Sequence, residues 1–121
     1  MADDASRDRA SDVAQALHAL AALLGHDTAR RLCALYQSRM PEIMKAMDDA
    51  AGHGDMAGLR RAAHDLVTNA GTMGFLRLAA EARTAEEEAA RGDLAAVARV
   101  KGLNASIMAS FPVVDAWIQL A

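Results

Sequence analysis

Residues 55–75, DMAGLRRAAHDLVTNAGTMGF, read as one helix with its own start and stop signals. Asp55 has the short acceptor side chain that caps a helix N-terminus, and Gly74 has the backbone freedom that ends one. Advancing about 100° per residue from Leu59 puts Ala62, Ala63, Leu66, Ala70 and Met73 within roughly 60° of it. These residues form the face expected to be buried. His64 falls at about 140°, on the side expected to meet solvent. Its helical neighbours are Arg60 and Arg61 before it, Val67 and Thr68 after it, and Gly71 two turns on. Gly71 weakens this helix by ~1 kcal/mol relative to alanine. Bare backbone at that point would let another molecule come close to His64.

The pattern continues on both sides. Residues 1–10 (MADDASRDRA) are polar, and a disordered lead-in is expected there. Val13, Leu17, Leu20 and Leu24 mark a short amphipathic helix from Asp12, and Gly25 is a stop signal. Asp27 is read as the N-cap of a second helix reaching about Ala51, with Leu32, Leu35, Tyr36, Ile43 and Met47 as its apolar stripe. Pro41 is expected to bend or split that helix near Met40. A fourth helix fits Leu76 to Arg91, and Gly92-Asp93 repeats the stop-then-cap signal. A fifth runs from Leu94 to Phe111, where Pro112 is expected to end or kink it before a last piece, Val113–Leu120. Short connections between amphipathic helices predict antiparallel neighbours. The fold class is therefore all-α: an up-down-up-down four-helix bundle over residues 11–121 with a short extra N-terminal helix.

Composition agrees. Apolar residues are 53% of the 121 and aromatics only 3%, so alanine dominates the apolar share and strand-forming runs are missing. Thirteen basic against sixteen acidic residues leave a charge of −3, which does not favour nucleic acid. The single cysteine, Cys33, excludes an internal disulfide and is expected to be buried. No apolar run approaches the ~20 residues of a membrane span, and the polar start is no signal peptide. The lone cysteine leads to a cytoplasmic expectation. His18, His26, His53 and His64 lack the paired Glu-x-x-His sets of a di-metal bundle, so no metal site is expected. Glu86-Glu87-Glu88 reads as a solvated face, with Glu86 a candidate exception. Met40, Met44, Met47, Met56, Met73 and Met108 read mainly as core filling.

An outward imidazole on a rigid helix is a nucleophile. A phosphoryl group on it would carry nearly two negative charges. Arg60 or Arg61 could balance that charge, and the Thr68 hydroxyl could donate to it.

The run Ala62-Ala63-His64-Asp65-Leu66, with Gly74 ten residues after the histidine, resembles the histidine-containing phosphotransfer (HPt) domain. Pro41-Glu42-Ile43, Gly54-Asp55, Leu59 and Arg61 before it resemble that family's preceding helix and loop. Leu78-Ala79, Glu86 and Gly92-Asp93 resemble its following helix, so the likeness spans about residues 13–110. It implies that His64 takes a phosphoryl group from a receiver-domain aspartate and passes it to another receiver. It implies a monomeric carrier rather than an independent enzyme, with no cofactor of its own and Mg²⁺ only in the partner receiver. The partners implied are receiver domains of response regulators or hybrid histidine kinases, with no nucleic acid and no membrane. Start and end so close to the bundle suggest a stand-alone protein, with an excised domain as the other reading.

The chain departs from the family pattern where a lysine and a glycine usually follow the histidine: it has Val67 and Thr68. The lysine's phosphoryl-steadying role is then vacant, and Thr68 narrows the approach of a receiver. The alternative is therefore a pseudo-HPt module that binds a receiver or kinase without phosphotransfer.

Overall fold

The computed structural model describes the backbone of residues 2–120 and the side chains of residues 9–120. Five helices and no strand occur among the described residues: α1 Ala2–Leu24, α2 His26–Gly52, α3 Met56–Met73, α4 Leu76–Ala90 and α5 Ala95–Leu120. Helices α2, α3, α4 and α5 contact one another in ring order, and α1 lies against α5 and α2. No helix among the described residues is long and apolar enough to cross a membrane.

Caps explain three of the boundaries. Asp55 accepts from the Gly58 N–H at 2.9 Å and starts α3. Asp93 accepts from the Ala95 N–H at 2.9 Å and starts α5. Gly74, at φ 77°, closes α3 in a left-handed turn whose following N–H, that of Phe75, returns to the Ala70 carbonyl at 2.9 Å.

Several boundaries differ from the sequence reading. Helix α1 begins at Ala2 and takes in residues 2–10 of the stretch read as a lead-in, which holds no glycine or proline to stop it. The disorder expected of side chains 1–8 lies outside the described residues. The residue before α2 is Gly25, at φ 87°, and Asp27 sits inside the first turn, where its charge still suits the helix dipole. Neither proline splits its helix: Pro41 and Pro112 lie inside continuous α2 and α5. Both are exposed, so the carbonyl each leaves unbonded is on the hydrated face.

The core follows the predicted stripes with a few exceptions. Leu17, Met40, Met47, Leu59, Leu66, Cys33 and Ile107 have essentially no exposure. Leu35 and Met108, expected inside, lie mainly in solvent at 59% and 56%, and Leu24 is also exposed. Helices α3 and α4 share the most extensive contact, through small buried residues: Ala63 and Ala70 on one, Ala82 and Ala85 on the other. Alanine adds little bulk, so these two helices pack closely.

Tyr36 ties α2 to α5. Its buried hydroxyl lies 2.8 Å from Ser110 Oγ, which in turn donates to the Ile107 carbonyl at 2.6 Å. With the Ser110 proton used there, the Tyr36 O–H is the donor of the pair. Removing it by Tyr36→Phe is expected to cost about 1 kcal/mol, measured by urea unfolding. Burial pushes the Tyr36 phenol up to about 12, with the Ser110 bond opposing in part. The neutral phenol is thus favoured in the folded state. The stability this gives is fully present below pH ~10 and is lost as pH rises toward about 12. Tyr36→Phe should flatten that alkaline decline.

Candidate functional site

His64 lies mid-way along α3 with its side chain 65% exposed, while Leu66, Ala70 and Met73 are buried beneath it. The helical phase that separated them in the sequence is the phase observed. What the phase did not contain is the partner on α4. The tight turn at Gly74-Phe75 sends α4 back along α3. His64 is eleven residues before Phe75 and Glu86 eleven after it, so the two come level. The alanine-lined contact makes the gap small enough to bridge.

His64 Nδ1 and Glu86 Oε2 are 2.7 Å apart. An ionised carboxylate only accepts, so Nδ1 carries the proton and donates. In the neutral ring this assigns the lone pair to Nε2. The ring is mostly exposed, so a partner can reach it from solvent. Glu86 is only 21% exposed, and its hydrogen bond holds the ring in one orientation. An exposed imidazole with its lone pair on Nε2 and a carboxylate that orients it are thereby paired.

The run Glu86-Glu87-Glu88, read as a solvated face, has three fates. Glu86 binds His64, Glu87 is exposed, and Glu88 is buried in a two-point pair with Arg99 of α5. The second contact of that pair, Arg99 Nη2 to Glu88 Oε2, is 3.2 Å. Glu86 was absent from the residues expected to neighbour the phosphoryl group. Its equal distance from the Gly74-Phe75 turn was the signal that could have found it.

The other expected neighbours divide. Arg60, Arg61, Thr68 and Gly71 are exposed, and Val67 is partly buried against the core. Arg61 lines a cleft toward α2 with Asp49 and His53, away from α4. Helical phase sets Arg60 and Val67 on the opposite flank of His64, nearer α4. Neither arginine forms an ion pair among the described residues, so both charges remain available to a ligand. The Thr68 hydroxyl, expected to donate to a phosphoryl group, donates instead to the His64 carbonyl at 3.2 Å. A hydroxyl four residues on in a helix finds that carbonyl without leaving its own turn. Among the described residues, nothing beyond the adjoining backbone of α3 lies within 4 Å of a side-chain carbon placed on Gly71, so internal packing does not demand a glycine there.

A helical module that displays one oriented histidine on an open face is the class of protein these features define. A family model for the Hpt domain matches residues 31–110, and the chain belongs to that family, whose place is in phosphorelay signalling. No curated protein and no solved structure matches the chain closely enough to add a named relative.

Proposed function

We propose that the chain is a phosphoryl carrier, accepting a phosphoryl group at His64 Nε2 from a receiver aspartate and passing it to a second receiver. The observation that carries this reading is the His64–Glu86 hydrogen bond at 2.7 Å. It leaves the reactive lone pair on the nitrogen that a partner can reach.

The step balances without a base. The Nε2 lone pair attacks the phosphorus of the aspartyl phosphate, the Nε2–P bond forms, and the P–O bond to the aspartate breaks. The aspartate leaves as a carboxylate. The ring keeps its Nδ1 proton and gains positive charge, which the Glu86 carboxylate offsets. Discharge onto the second receiver is the same step reversed. Mg²⁺ would come with the receiver, and the carrier would need no nucleotide or metal of its own. The reading takes α2–α5 as an up-down-up-down bundle, which the ring of helix contacts supports, and the protein as a cytoplasmic monomer.

Incubation with a phosphorylated receiver domain should produce label on this chain that acid removes and base does not. If no receiver transfers label while one still binds, the interaction-only reading replaces the carrier.

Val67 stands where a cation would serve. One exposed charge-assisted contact is worth ~1 kcal/mol, or about five-fold in a rate. Val67→Lys is therefore expected to lengthen the half-life of the labelled protein, or speed its formation, about five-fold. An unchanged half-life and rate would mean that Arg60 already fills that role.

A further inference from the structure

The hydrogen bond that fixes the His64 ring also fixes the side on which a phosphoryl group stands. Nδ1 is turned to Glu86 on α4, at 2.7 Å. The outward bonds of the two imidazole nitrogens diverge widely. With Nδ1 aimed at α4, Nε2 aims at solvent and away from α4. A phosphoryl group joined to Nε2 therefore lies over the flank of α3 that faces α2.

That flank carries Arg61. At about 100° per residue, Arg61 falls roughly 60° beyond His64 on the side away from α4, whereas Arg60 and Val67 fall on the α4 side. Helix side chains lean toward the N-terminus, so the His64 ring leans over the turn that holds Arg61. Arg61 is exposed and borders a cleft between α2 and α3. Two carboxylates of that cleft are already engaged. Asp49 accepts from Lys45 at 2.9 Å, and Asp55 accepts from the Gly58 N–H at 2.9 Å. His53, in the same cleft, has its Nδ1 2.7 Å from the Asp49 carbonyl oxygen. Asp65 lines the cleft one turn beyond Arg61, and the two form no ion pair. The guanidinium is thus left to a ligand, and its planar fork matches two phosphoryl oxygens at once.

We propose that Arg61 is the residue that holds the phosphoryl group on His64, from the flank opposite Val67. This assignment rests on the carrier reading and separates the two arginines beside His64. Arg61 faces the phosphoryl group, and Arg60 faces the side of the ring that Glu86 occupies. The phosphoryl oxygens lose charge as the N–P bond stretches toward a loose transition state. A cation on those oxygens therefore favours the intact phosphohistidine and slows its hydrolysis.

Phosphoramidate, a small phosphoryl donor, loads histidine without any receiver, so it tests Arg61 apart from the relay. The label on His64 of the full chain is followed by phosphorus NMR, with His64→Gln as the blank. Arg61→Ala should shorten its half-life about five-fold, the size of one exposed charge-assisted contact. The second ionisation of the phosphoryl group should move to higher pH, because the dianion loses its cation. A merely structural role for Arg61 would not move that ionisation. Arg61→Lys keeps the charge without the fork and should fall between. Arg60→Ala should leave both readouts at wild-type values. If His64 is labelled but Arg61→Ala keeps the wild-type half-life and ionisation, or if Arg60→Ala loses as much, Arg61 does not hold the phosphoryl group and the carrier reading stands. If His64 takes label neither from phosphoramidate nor from any phosphorylated receiver, the carrier reading fails and the role of Arg61 fails with it.

Discussion

His64→Gln takes no label from a phosphorylated receiver that labels the wild-type chain: this is the largest change expected of any single substitution. Glutamine offers no ring nitrogen to attack phosphorus, yet its amide can still donate to Glu86. The side chain it replaces is mainly in solvent, so stability should stay within about 0.5 kcal/mol in urea unfolding. Circular dichroism should show the same helix content. Persistent label on His64→Gln would mean that another residue is the acceptor, and His18, His26 and His53 would be examined next.

Glu86→Ala should slow labelling by about 10- to 100-fold, the range found where a metal-bound imidazole loses the carboxylate that orients it. Two effects are removed together: the hold on the Nδ1 proton and the charge that offsets the phosphorylated ring. Glu86→Gln should fall between, because its carbonyl still accepts from Nδ1–H while its charge is gone. Glu86 is a positioning residue, acting through His64, so the loss should appear in the transfer rate more than in receiver affinity. Ring nitrogen NMR gives a second readout. The wild type should hold its proton on Nδ1 when the ring is neutral, and Glu86→Ala should release the mixture of tautomers found in free imidazole. A wild-type rate and tautomer in Glu86→Ala would make the contact incidental.

Much of this protein was legible in one dimension because helices are local. The stop at Gly74 and the caps at Asp55 and Asp93 involve groups two to five residues apart, and all three are found where the sequence placed them. The outward phase of His64 against Leu66 and Ala70 needs only the 3.6-residue period. The prolines do not split their helices, because the cost of a proline depends on its surroundings. An unbonded carbonyl is tolerable on a wet face, and only the packed fold shows which face is wet. Leu35 misled for the same reason, since its place in an apolar stripe did not say that no helix covers it.

The sequence by itself determined that this chain is helical, where most of its helices end, which side of α3 is buried and which histidine faces outward. Those properties follow from hydrogen bonds within a few residues and from periodicity. Only the tertiary structure decided that Glu86, twenty-two residues beyond His64, holds the ring. It also decided that Glu88 goes inward to Arg99 and that the Thr68 hydroxyl is tied to its own helix. Three adjacent glutamates are alike as a string. They differ in what lies opposite them, which depends on where the turn at Gly74-Phe75 reverses the chain and how closely the alanine faces of α3 and α4 then approach.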